Sequence, residues 1–174
     1  MTRNPELKAA PADAAGAASH RIAAQALIRR ARTLVLSTSA AGAPWAAPVY
    51  YVYVNPGFFF FSSPRARHIE QGISAGTAAA AIFADSERWE EIQGLQMSGT
   101  VSAVRKRSEQ LKVVARFLLK FPFARPFLES EPSRKQNRPH VGDRVQLYVF
   151  VPRETYYLNN RLGFGQRVLV DLNG

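Results

Sequence analysis

Ser62, Ser63, Arg65, Arg67 and His68 are crowded into one short segment, directly after four consecutive phenylalanines, Phe58 to Phe61. Side chains of these types share one competence, which is to hold an anion. Hydroxyls and backbone N–H groups donate neutral hydrogen bonds, and a guanidinium fork adds two parallel charged ones. Ser63 suits a helix N-cap and Pro64 the first helical position. On that reading Arg65 and Arg67 stand in the first turn of a helix. The macrodipole makes that end partially positive, so carboxylates are favoured there and arginines are not. Two arginines at such an end make sense when an anion, a phosphate above all, lies between them. The same residues also fit two solvated arginines on an ordinary helix, and the segment alone leaves both readings open.

A second feature lies upstream, in Ala46-Ala47-Pro48-Val49-Tyr50-Tyr51. The residues around Pro48 have strand character, yet proline cannot donate to a ladder, so Pro48 marks an edge or a bulge. An edge leaves backbone N–H and C=O groups free for a flat ligand with a polar rim. The next strand delivers the serines and arginines beside it. Together the two features suit a nucleotide-like cofactor. An edge proline equally serves to block strand-to-strand aggregation.

Other chemistry finds less support. His20, His68 and His140 show no metal-ligand spacing, and the chain has no cysteine. No serine lies in Gly-x-Ser-x-Gly. Leu162-Gly163-Phe164-Gly165 is too short for a dinucleotide fingerprint and reads as a glycine turn. Glu87, Glu90 and Glu91 are placed to pair as acid and base, or to form a solvated loop around Trp89.

The elements that must position these residues follow from the pattern of the chain. Its 174 residues, 47% of them hydrophobic, suit a single domain that buries roughly 70% of its unfolded surface. Met1 to Ser19 is rich in Ala and Pro and reads as a flexible tail without a secretory core. No apolar run approaches a membrane span, and a cytoplasmic protein is expected. The formal charge of +10 admits nucleic acid, anionic lipid or an anionic ligand. The basic groups, such as Arg105-Lys106-Arg107, are short and not interleaved with aromatics.

A helix is expected over His20–Arg32 and strands over Thr33–Ser39, Trp45–Val54 and Phe58–Ser62. A helix should then run from Pro64 to Gly72 or Gly76. Strands follow over Thr77–Ala84 and Ile92–Val104. Ser108 should cap a helix with Leu111, Val114, Ala115, Leu118 and Leu119 on its apolar face. Pro126–Gly142 reads as an irregular insertion, Arg144–Val151 as a sixth strand continued by Glu154–Leu158. Gln166–Leu172 closes the chain. Hairpin-joined strands with few intervening helices indicate a mainly β protein, a six-stranded antiparallel barrel with peripheral helices.

In this order and spacing the residues resemble the FMN-binding split-barrel superfamily, the pyridoxamine 5'-phosphate oxidase-like proteins. The resemblance rests on Thr33 to Ser39, Gly42 to Tyr51, Phe60 to His68 and Gln93 to Thr100. Phe121 to Arg125 and Asn160 to Gly165 are similar to a small bacterial subgroup, so the resemblance covers most of the chain after residue 20. It implies a homodimer with FMN between subunits and a flavin-dependent oxidoreductase acting on a small molecule. The implied cofactor-binding residues are Ala47, Pro48, Val49 and Tyr50 at the flavin ring, and Ser62, Ser63, Arg65 and Arg67 at the phosphate. His68 lies close by, and Gln93 approaches the ring from the fifth strand. Trp45, Tyr50 and Trp89 are candidates for the ring face. Three departures stand out. Arg65 occupies a position where many relatives carry lysine, Pro126–Gly142 is inserted, and the C-terminal tryptophan and arginine pattern of pyridoxamine 5'-phosphate oxidase itself is missing. Alternatives are a flavin, deazaflavin or haem binder without turnover, and a basic nucleic-acid-binding barrel.

Overall fold

The computed structural model describes residues 14–128 and 145–173. Helix α1 spans Ala14–Arg30, beginning inside the segment expected to be a tail. β1 (Thr33–Ala40) and β2 (Ala43–Tyr50) form a hairpin whose turn places Ala41 and Gly42 at φ +50° and +74°. That left-handed pair matches the right-handed twist of the flanking strands. β3 (Val52–Val54) and β4 (Gly57–Ser62) form the next hairpin. Helix α2 (Arg67–Ala75) follows, then β5 (Ala78–Phe83) and β6 (Gln93–Ala103). Helix α3 (Arg107–Lys120) and the short α4 (Arg125–Leu128) precede β7 (Gln146–Asn159) and β8 (Arg167–Leu169). The expected insertion therefore begins with the end of α4, and its remainder, 129–142, lies outside the described residues.

The strands form one antiparallel sheet in the order β2-β1-β5-β6-β7-β4-β3, with β8 added to β7. The two ends of that path, β2 and β3, are consecutive pieces of chain separated only by Tyr51. A sheet whose ends are covalent neighbours must curl round on itself. The result is the mainly β split barrel anticipated from the sequence. The expected second strand, Trp45–Val54, is broken at Tyr51, and β8 adds a short strand that was not counted.

The phenylalanine run explains the layering. Phe58 and Phe60 turn into the barrel interior with Leu34, Leu36, Ile82, Leu95 and Phe150. Phe59 and Phe61 turn outward and are covered by Val113, Phe117 and Phe121, with the Phe61 and Phe117 rings edge to face at 5.0 Å. Burial of a Phe contributes about 1.5–3 kcal/mol, so β4 anchors two cores at once. This corrects the expected face of α3. Val113 and Phe117 are its buried positions, while Leu111 and Leu119 are 64% and 82% exposed.

Candidate functional site

The barrel is split between β2 and β4. The β3–β4 ladder pairs Val52 with Phe59 and ends there. Continued by one and two more residues past Tyr51, the same register sets Tyr50 opposite Phe61 and Val49 opposite Ser62. No ladder forms across that gap: beyond Phe59, β4 keeps its pairing with β7 on one edge and has no strand partner on the other among the described residues. β2 and β4 therefore part just where the candidate residues lie on both strands.

β2 presents an open edge, as Pro48 implied. Tyr51 N–H donates to Arg32 C=O at 3.4 Å. Alternation along the strand then turns the peptide groups of Ala47 and Val49 toward β1 and those of Ala46, Pro48 and Tyr50 away from it. Pro48, opposite Val35, lacks an N–H where the ladder needs none. The side chains alternate in the other sense. Ala47 and Val49 are buried, and Pro48 and Tyr50 are exposed. Tyr50 packs edge-on against Phe121 and Phe123, with centroids 5.1 and 5.3 Å away.

The far wall is the segment after β4. The expected cap is displaced: α2 begins at Arg67 with Ala66 at its N-cap position, so neither Ser63 nor Pro64 starts the helix. A tight turn intervenes, in which Arg65 N–H donates to Ser63 Oγ at 3.3 Å and Ala66 N–H to Ser63 C=O at 3.0 Å. A serine followed by proline thus supports a local side-chain turn that competes with helix capping. Arg65 lies in the turn and Arg67 is the first residue of α2; both are exposed. Among the described residues neither has an ion-pair partner. The Arg67 guanidinium lies over the Trp45 ring, 4.7 Å from its centroid, which ties the start of α2 to β2.

Ser62 and His68 bond to each other, Oγ to Nε2, at 2.8 Å. Burial holds the His68 imidazole below its ordinary range, because desolvation disfavours the charged form. A neutral His68 leaves two arrangements. If Nε2 carries the proton, Ser62 accepts and keeps its own hydroxyl proton for another partner; an anion beside Ser62 selects that tautomer. Sequence reasoning missed Gln71, whose side-chain amide positions the helix. It donates to Ala43 C=O at 2.9 Å and its carbonyl accepts from Thr38 Oγ1 at 2.9 Å. Its only sequence signal was a polar residue on the apolar face of α2.

Gln93 is not brought to this gap. β1 and β5 stand between β2 and β6, and on the β4 side Gln93 pairs with Asn159, at the opposite end of β7 from Gln146, the partner of Ser62. Gln93 instead lines an open cleft of about 520 Å³ with Phe83, Asp85, Glu91 and Arg161. Trp89 also belongs to that region, edge-on to Phe164 at 5.8 Å. Of the three ring-face candidates, Trp45 and Tyr50 remain on β2.

The donor set at the gap fits a flat anionic ligand. It combines two arginines without acid partners among the described residues, Ser63 and Ser62, and the peptide groups of a strand edge. Among the described residues no group of three or more His, Cys, Asp or Glu could hold a metal ion.

Known proteins share this arrangement of strands. HutZ from Vibrio cholerae, a haem storage protein, has 19% identity and a TM-score of 0.59 over 74% of this chain and 87% of that one. A Listeria innocua protein described as a candidate pyridoxamine 5'-phosphate oxidase has 14% identity and a TM-score of 0.59 over 80% and 98%. An FAD-binding protein from Mesorhizobium loti has 10% identity and a TM-score of 0.59 over 77% and 90%. At these identities the likeness is one of fold. No curated protein sequence matches the chain. Residues 21–158, most of the chain, match the family model described as pyridoxamine 5'-phosphate oxidase. Split barrel, open strand edge and matching sequence agree: the chain belongs to the pyridoxamine 5'-phosphate oxidase family.

Proposed function

We propose that the protein binds FMN in the split between β2 and β4 and works as a flavin-dependent oxidoreductase on a small molecule in the cytoplasm. The observation that carries this reading is the meeting of an open β2 edge with two uncompensated arginines across the same gap. In this reading Arg65 and Arg67 take the phosphate, whose charge is about −2. Ser63 and Ser62 add hydroxyl donors, and His68 orients Ser62. The outward peptide groups of Ala46, Pro48 and Tyr50 meet the polar rim of the ring system, and buried Ala47 and Val49 keep that edge straight. When bound, the flavin supplies hydride or electron transfer; the chain's own residues bind it, orient it and exclude water from one face.

Members of the family are commonly dimers, and the present chain gives a reason to expect one. Gln93 lies two intervening strands from β2, so the role that the resemblance gives it requires a second copy, in a homodimer with the cofactor at its interface. Among the described residues no helix is long and apolar enough to cross a membrane.

Mass spectrometry of the small molecule released from purified protein, with an absorption spectrum before release, tests the proposal. Flavin bands and the mass of FMN are expected. A Soret band would replace FMN with haem, the ligand named for HutZ. Colourless protein that takes up no added FMN, yet binds DNA with a steep salt dependence, would favour the nucleic-acid reading instead.

A further inference from the structure

A second basic recess lies on another face of the molecule, between α1 and α3. It is an open groove of about 590 Å³. Three cations line it: Arg29 from α1, and Arg116 and Lys120 from α3. Among the described residues no acidic side chain does so, in contrast to the cleft beside Gln93, which Asp85 and Glu91 line together with Arg30 and Arg161. The remaining wall is mixed, with Ile28, Val52 and Leu119 beside Gln25 and Tyr53.

One detail sets the groove apart from a solvated basic surface. Lys120 is anchored: its Nζ donates to Ala31 C=O at 2.8 Å and lies 4.2 Å from the centroid of the Tyr51 ring. Burial and the neighbouring Arg32 charge lower its pKa to about 8. A cation held in place beside another cation gains from a nearby anion. Tyr53 also lines the groove, with its hydroxyl buried and under the influence of the Asp171 carboxylate, which lies outside the groove lining.

We propose that the α1–α3 groove is a binding site for a small amphiphilic anion, an acid head group on an apolar chain. The head group meets Arg29, Arg116 and Lys120. The apolar chain lies along Ile28, Val52 and Leu119, covering a leucine that is otherwise 82% exposed. The inference does not rest on the flavin reading, because none of these residues is assigned there to the ring or the phosphate.

Calorimetric titration of the full-length protein with decanoate tests it, with octyl glucoside and inorganic phosphate as the two half-ligands. Saturable one-to-one binding of decanoate is expected, much tighter than either half-ligand, together with an upward shift of the Lys120 titration read by NMR. Arg29→Gln combined with Arg116→Gln changes two exposed side chains and should weaken decanoate by about tenfold or more, since partly desolvated charged contacts are lost. FMN at saturation should leave decanoate binding unchanged. Equal binding of octyl glucoside would reduce the groove to an apolar surface, and equal binding of phosphate would leave no role for the chain. Displacement by FMN, or an unshifted Lys120, would likewise overturn the proposal.

Discussion

The β2–β4 gap and the cleft beside Gln93 belong to one sheet but handle positive charge in opposite ways. At the cleft, Arg161 is bonded to Glu91 at 3.0 Å, and on the adjoining turn Arg88 lies 3.7 Å from Glu90. At the gap, Arg65 and Arg67 have no acid partner among the described residues, and Arg67 leans on the Trp45 ring instead. A formal charge of +10 therefore says little until it is located. Where cations are paired the surface is already neutral, and a ligand gains little from them. Where they are fixed but unpaired, an incoming anion completes the site.

Breaking the unpaired side should have the largest effect. Arg65→Ala with Arg67→Ala removes two charge-assisted contacts, each contributing about 1.5–3 kcal/mol. FMN affinity in a fluorescence titration should fall by about a hundredfold or more. Both side chains are exposed, so the thermal midpoint should hold. Wild-type FMN affinity in this variant would remove the gap as the phosphate site. Trp45→Ala keeps both charges but loses the ring beneath Arg67, an interaction of about 0.5–1 kcal/mol at an exposed site. FMN affinity should drop by about two- to fivefold, with little change in maximal flavin occupancy.

Two smaller effects sharpen the comparison. His68 has a lowered pKa in the folded protein, so it contributes stability above its unfolded value near 6.5. That contribution is lost as pH falls through the depressed folded value, because the unfolded chain takes up the proton first. Urea midpoints should decline below pH 6.5 and decline less in His68→Gln. On the paired side, Arg88→Gln breaks an exposed ion pair of about 0–1 kcal/mol. Neither FMN affinity nor the urea midpoint should change measurably, and a large loss of FMN affinity would erase the contrast between the two regions.

Much of the fold was legible because local signals agreed with one another. β1 is rich in β-formers, the Asn55-Pro56-Gly57 turn signal sets off β4, and Pro48 marked the edge strand correctly. The four phenylalanines announced burial on both faces, and both faces are buried. The misreadings have physical causes. Ser63-Pro64 carries the signal of a helix start, but Ser63 Oγ serves the local turn and the helix waits until Arg67. On α3 apolar residues occupy more than one face, so helical spacing alone could not choose between Leu111-Ala115-Leu119 and Val113-Phe117. The choice was made by Phe59 and Phe61 on β4, residues distant in sequence. The site was legible as two local segments but not as a gap, because the break at Tyr51 that opens it has no sequence mark. Gln93 was grouped with these segments by resemblance, and the sheet order separates it from them within one chain.

The most direct test of the phosphate assignment compares FMN with riboflavin, which differ by the phosphate alone. Titrated into ligand-free protein, FMN should bind about a hundredfold or more tightly than riboflavin, and Arg65→Ala with Arg67→Ala should bring the two affinities together. Equal binding of FMN and riboflavin by the wild-type protein would contradict the claim that the unpaired arginines of the β2–β4 gap hold a flavin phosphate.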